Sequence, residues 1–242
     1  MWCARFESAC AQCKCSCDGV CCQDTERSLC ANLAAANAYK QAHLESAKIQ
    51  EVVKAAQVYY ISGFFMTVST ESILSVAKHS FANANKARVP AIVRWVVLFC
   101  GVREILWFVY LIVGPFVLMC VCCMQTFSMN LGAEFLMQFF AKQFQEVLPY
   151  CDIIFGNESE ALAYGKANAL ETTDIATIAK HLQAVPTKGG HARTVIITQG
   201  KDPTLVVSGA TGDVSSFPVD ALDSSLVVDT NGAGDSFCGK GG

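Results

Sequence analysis

Short apolar, β-branched runs alternate with longer helix-prone stretches along most of this chain. That alternation predicts an α/β fold built on a mostly parallel, doubly wound sheet. Leu29–Lys40 is rich in alanine and favours helix, as does Ile49–Gln57, while Val58–Ile61 reads as a strand. Ser69 is a candidate N-cap for a helix running to about Phe81. Beyond it, Phe127–Leu131 predicts a strand, Glu134–Val147 a helix and Asp152–Phe155 a strand. Asn157 then opens a helix to about Tyr164, Asp174–Val185 forms another, and Thr194–Thr198 is the next strand. Leu205–Ser208 and Val214–Val219 form an antiparallel pair about the Gly209–Gly212 turn, and Leu226–Val228 is the last strand. Ligands of such sheets bind beyond the carboxyl ends of the strands. Gly63, Asn130, Asn157, Gly200 and Asp229 all follow strand ends, so they are expected along one rim.

Two segments break the pattern. Residues 1–24 form a Cys-rich leader, with Cys10 and Cys13 in a Cys-x-x-Cys spacing. A second, well-separated ligand pair is missing, so disorder or non-native sequence is preferred over a zinc site. Residues 87–125 are strongly apolar, and Ile105–Met124 carries no charge over about the length that spans a bilayer. Arg88, Arg94 and Arg103 flank its N-terminal side. The segment interrupts a helix-to-strand connection, where loops usually run to ~2–6 residues. It is therefore expected to be translated non-coding sequence or an extra exon, with a membrane anchor as the alternative. The remaining parts are a first α/β portion, 25–86, and a second, 126–242. A net charge of −3 offers no basic surface for nucleic acid. The four histidines are scattered and read as ordinary surface or helix residues.

The most informative residues lie near the C-terminus. Leu226–Val228 leads into Asp229-Thr230-Asn231-Gly232-Ala233-Gly234-Asp235-Ser236-Phe237. Glycines let backbone N–H groups face a phosphate, and a helix starting at the turn adds its positive dipole end. Asp235 beside this cradle is placed to take a proton from an attacking hydroxyl. The run resembles the D-T-x-G-A-G-D signature of the ribokinase-like PfkB family and, through Asn231, its adenosine kinase branch. Arg27–Asn37, Tyr60–Ser69 and Phe155–Ala161 resemble further motifs of that branch, in the same order. The resemblance covers roughly residues 25–86 and 126–239 and implies a phosphotransferase with an alcohol acceptor.

The same resemblance implies a reaction and the residues that carry it. ATP would phosphorylate the 5′-hydroxyl of adenosine to give AMP, in purine salvage. Asp235 would be the general base, with Gly232, Ala233 and Gly234 donating N–H groups to the transferring phosphoryl oxygens and Arg27 neutralising charge. Asn157 and Glu160 match an N-x-x-E that organises Mg²⁺, largely through water, although the same spacing suits a capping box. Thr198 and Gly200 would lie near ATP, or form a plain strand-ending turn. Phe64 would stack on adenine or serve as core, with Leu29 and Ala31 lining the pocket and Asn231 beside the nucleoside. A cytoplasmic or nuclear monomer is implied; another nucleoside or sugar is the alternative substrate. The strands and lid that precede the Arg27 segment in the family have no counterpart in residues 1–22. Only Ser236–Gly242 follow Asp235, and Gly239-Lys240-Gly241-Gly242 is a poor helix former. The expectation is an unstable, inactive 242-residue product.

Overall fold

The computed structural model describes residues 20–23, 26–29, 34–87, 125–220 and 233–240. The chain divides into two units, Met1–Lys40 and Gln41–Gly242. In the first, strands β1 (Val20–Gln23) and β2 (Glu26–Leu29) form an antiparallel hairpin in which Cys22 pairs with Arg27. Strand structure thus reaches back into the segment read as a leader. A 3₁₀ turn at Ala34–Ala38 stands where helix was expected over Leu29–Lys40. The Cys10–Cys13 pair lies outside the described residues.

The second unit is a six-stranded sheet in the order β3 (Val58–Ile61), β4 (Thr126–Asn130), β5 (Ile153–Asn157), β6 (Thr194–Gln199), β7 (Asp202–Ser208) and β8 (Asp213–Phe217). β3 to β6 run parallel; β7 and β8 add on antiparallel about the Gly209–Gly212 turn. The helices are α1 (Gln41–Leu44), α2 (Ala47–Ala55), α3 (Met66–Ala87), α4 (Glu134–Phe139), α5 (Ala141–Val147), α6 (Glu158–Ala167), α7 (Ile175–Ala184) and α8 (Ala233–Lys240). Strand alternation sorts the side chains onto two faces. Tyr59, Phe127, Met129, Ile154, Val195 and Ile197 enter the main core with Ile73, Leu136, Phe144, Tyr164, Ile178 and Leu182 from the helices. Phe155, next to Ile154, points the other way and meets Phe237 of α8. Helices therefore pack on both faces, with α8 meeting the second face at β5.

Local chemistry explains most of the boundaries. Within α3, Ser69 leaves the helical region (φ −156°, ψ 85°), and its Oγ accepts the Ser72 N–H, so it caps the main part of that helix as expected. Asp174 caps α7 by accepting the Thr177 N–H at 3.0 Å. The single helix expected over Glu134–Val147 is instead two, divided at Phe140 (φ −120°, ψ 19°). Phe140 packs against the core while Phe139 is left exposed.

Residues 88–124, which contain the apolar span, lie outside the described residues. Their flanks meet: Asn83 Nδ2 donates to Gln125 Oε1 at 3.0 Å, and Gln125 Nε2 donates to the Ala56 carbonyl at 2.8 Å. Among the described residues, no helix is long and apolar enough to cross a membrane.

Candidate active site

The carboxyl ends of the parallel strands form a rim, as the pattern of strand ends predicts. Gly63 follows β3 and donates its N–H to Asn130 Oδ1, at the end of β4, at 2.7 Å. Ser62 Oγ donates to the same oxygen at 3.3 Å. Asn157 ends β5 and pairs in register with Thr198 of β6, whose Oγ1 donates to the Gly156 carbonyl at 3.3 Å. Gly200 follows β6 with φ +60°, a left-handed turn position that suits glycine.

Asn157 and Glu160 form a complete capping box at the start of α6. Asn157 Oδ1 accepts the Glu160 N–H at 2.8 Å, and Glu160 Oε2 accepts the Asn157 N–H at 3.1 Å. Burial pushes the Glu160 carboxyl above the usual carboxylate range; the Asn157 N–H opposes this and the Glu134 charge adds to it.

α8 begins at Ala233, within the glycine-rich run of the sequence, and Asp235 lies in its first turn. Helix therefore continues through Gly239 to Lys240, against the expectation that these residues are too poor in helix formers. The leading N–H groups of a helix have no acceptor within it, so Ala233 and Gly234 supply donors at a positive dipole end. A Cβ added to Gly234 would meet nothing within 4 Å. The Asp235 carboxylate accepts a hydrogen bond from the Tyr60 hydroxyl at 3.3 Å.

Phe64 follows β3 in a 3₁₀ turn, Gly63–Phe65, and is partly buried against the core. Its outer edge meets Phe135 at 5.9 Å in an edge-to-face pair, and Phe135 is exposed. Phe135 and Tyr60 are additions to the residues singled out from sequence; Tyr60 opens a motif-bearing stretch, Phe135 lies in none, and neither carries a distinctive spacing. Arg27 and Leu29 lie on β2, in the other unit. Ala31, Asn231, Gly232 and Asp229 lie outside the described residues. Among the described residues no cluster of three His, Cys, Asp or Glu side chains could by itself hold a metal ion.

Known proteins resemble this chain in sequence and fold. The family model described as pfkB family carbohydrate kinase matches residues 119–239. Adenosine kinase 1 of Arabidopsis thaliana is 39% identical over 222 residues, covering 91% of this chain and 52% of that protein. Adenosine kinase of Schizosaccharomyces pombe is 37% identical, covering 88% of this chain and 51% of that protein. The crystal structure of Anopheles gambiae adenosine kinase in complex with P1,P4-di(adenosine-5) tetraphosphate superposes with a TM-score of 0.72 at 40% identity, over 91% of this chain and 53% of that one. The Schistosoma mansoni enzyme in complex with 2-fluoroadenosine gives 0.68 at 32% identity, over 90% and 52%. The chain thus spans about half the length of the curated relatives it matches. With the family model matching half of its residues, from β4 into α8, the chain belongs to the pfkB family of carbohydrate kinases.

Proposed function

We propose that the chain provides the catalytic portion of an adenosine kinase, which transfers the terminal phosphoryl group of ATP to the 5′-hydroxyl of adenosine. One observation carries the reading: α8 starts within the glycine-rich run, with Asp235 in its first turn and open space at Gly234. Phosphoryl transfer requires positioning and charge stabilisation more than covalent chemistry by the protein. The N–H groups of Gly232, Ala233 and Gly234 would hold the phosphoryl oxygens. Asp235 would take the hydroxyl proton as the oxygen–phosphorus bond forms and the bond to ADP breaks. Arg27 would add positive charge.

Asn157, Glu160, Thr198 and Gly200 would face the nucleotide. Mg²⁺ suits this oxygen-rich set: two residues already engaged in a capping box fit an indirect role through water, and Mg²⁺ usually keeps several waters. The metal would neutralise phosphate charge. On the acceptor side, Phe64 and the exposed Phe135 offer aromatic surface for a base; the family resemblance assigns Leu29, Ala31 and Asn231 to nucleoside binding as well. The similarity to adenosine kinases supports a purine nucleoside over a free sugar. The same reading gives a cytoplasmic monomer acting in purine salvage, with residues 88–124 an interruption of the kinase portion rather than a part of it.

The test is AMP formation by the purified chain from adenosine, ATP and Mg²⁺, beside its Asp235→Asn variant. Guanosine, cytidine and ribose serve as competing acceptors. Adenosine-dependent AMP formation, lost in the variant, supports the reading and overturns the expectation of an inactive product. Preference for another acceptor redirects it to a different ribokinase-like substrate, and no transfer to any acceptor overturns it.

A further inference from the structure

Tyr60 and Tyr59 are neighbours on the edge strand β3 and face opposite ways. Tyr59 is buried in the main core, where its hydroxyl donates to the Val53 carbonyl at 2.6 Å. Tyr60 turns to the other face, towards α8. Its ring meets Phe155 edge on at 6.2 Å, and Phe155 meets Phe237 edge on at 6.5 Å. These three rings tie β3, β5 and α8 together, and they bring the Tyr60 hydroxyl to Asp235 Oδ1 at 3.3 Å. Cys238, one turn further along α8, neighbours the phenol.

Packing does not require that hydroxyl. Phenylalanine would keep the ring contacts, and Tyr60 is 39% exposed, so burial does not select an oxygen there. Asp235 is exposed, and among the described residues Tyr60 is the side chain that hydrogen-bonds its carboxylate. An exposed aspartate otherwise samples several staggered rotamers, and few of them aim an oxygen at one fixed point. Burial and the neighbouring Cys238 and Asp235 hold the Tyr60 phenol well above its ordinary ionisation range, so it stays a donor.

We infer that Tyr60 is a positioning residue for Asp235: its hydroxyl holds Oδ1 and leaves Oδ2 to receive the proton of the attacking substrate hydroxyl. The inference rests on the phosphotransferase reading above. It assigns a role in the transition state and none in substrate affinity, because Tyr60 acts through Asp235.

Tyr60→Phe and Asp235→Asn, singly and together, test it, with two readouts on the full chain. The first is kinetic. Tyr60→Phe should lower kcat about ten- to a hundredfold, the scale of a misplaced catalytic group, with KM for adenosine changed less than twofold. In the Asp235→Asn background the same change should cost nothing further. The second readout is independent of activity. In protein labelled with ¹³C at the tyrosine ζ carbons, the Tyr60 resonance, assigned by its loss in Tyr60→Phe, should move on Asp235→Asn at neutral pH. An unmoved resonance overturns the contact. An unchanged kcat in Tyr60→Phe overturns the positioning role while leaving the kinase reading intact. Absence of transfer by the wild-type chain overturns both, and the resonance shift then records a purely structural contact.

Discussion

Asn130 Oδ1 accepts the Gly63 N–H at 2.7 Å, and a Cβ on Gly63 would stand only 2.3 Å from the Asn130 carbonyl oxygen. The Leu131 carbonyl oxygen would lie 3.0 Å away, so both obstacles are backbone in or beside the sheet. Neither can turn aside as a flexible side chain would. Gly63→Ala must therefore separate the ends of β3 and β4, with a loss of roughly 1–3 kcal/mol for an overpacked site. Urea unfolding should show a lower midpoint at an unchanged slope. A midpoint equal to wild type would mean that the rim is looser than this contact implies.

Arg193 is fully buried and has no carboxylate to pair with by hydrogen bond among the described residues. Its guanidinium donates instead to the carbonyls of Leu148, Cys151, Leu182 and Val185, gathering the chain ends that follow α5 and α7 beneath β6. The planar fork reaches several acceptors at once, which an ammonium cannot do. Arg193→Met should strand those acceptors and cost about 3 kcal/mol or more. Arg193→Lys should recover little of it. Thermal melts of the two variants, read against wild type, decide the point; a lysine variant that melts like wild type contradicts it.

The Glu160 carboxyl is pushed up by burial, against the Asn157 N–H and with the Glu134 charge. Its folded value lies above its ordinary value of 4.5, so its contribution to stability is fully present below that value. The contribution is lost as pH rises through the folded value. Glu160→Gln keeps an oxygen for the Asn157 N–H and removes the charge. The variant should lose this pH dependence and be no less stable than wild type at neutral pH. Under the magnesium reading, added Mg²⁺ should raise the melting temperature of wild type more than that of Glu160→Gln. Equal shifts would count against a role for Glu160 near the metal.

A similar separation of folding from function applies at Gly234. Glycine costs about 1 kcal/mol relative to alanine inside a helix, and space for a Cβ is open there. Gly234→Ala should therefore melt no lower than wild type. If phosphate must approach the backbone at this turn, AMP formation should fall at least tenfold. Full activity in a stable Gly234→Ala variant would remove the reason for a glycine cradle.

Strands and capped helix starts were legible where local chemistry alone decides them. Val58–Ile61 is β-branched and aromatic, and Asn157, Asp174 and Ser69 each bring their own capping oxygen. The break at Phe140 was not legible, because no proline or glycine marks it and only packing against the core distinguishes it from Phe139. Ala34–Ala38 shows the converse: alanine favours helix, yet a run this short has little packing to extend it beyond a 3₁₀ turn. At the site, Asp235 and the glycine run announce themselves by spacing. Tyr60 does not, since its partner is 175 residues away and only the fold brings them together.

The contact between Asn83 and Gln125 bears on the apolar span within residues 88–124. The two side chains meet at 3.0 Å, and the flanking strands β3 and β4 are parallel neighbours in one sheet. A chain that crosses a bilayer once leaves its two flanks on opposite sides, some 30 Å of hydrocarbon apart. Flanks in hydrogen-bond contact exclude that arrangement while the sheet is formed. The described core around the sheet is built from residues outside the span. Replacing residues 88–124 by a short glycine–serine linker should therefore preserve the far-ultraviolet circular dichroism and cooperative unfolding, and carbonate should extract the shortened protein from membranes completely. Loss of cooperative unfolding would show that the span is integral to the kinase portion. Carbonate-resistant full-length protein with both flanks protected from protease on opposite sides would show that the β3–β4 pairing does not form in the cell.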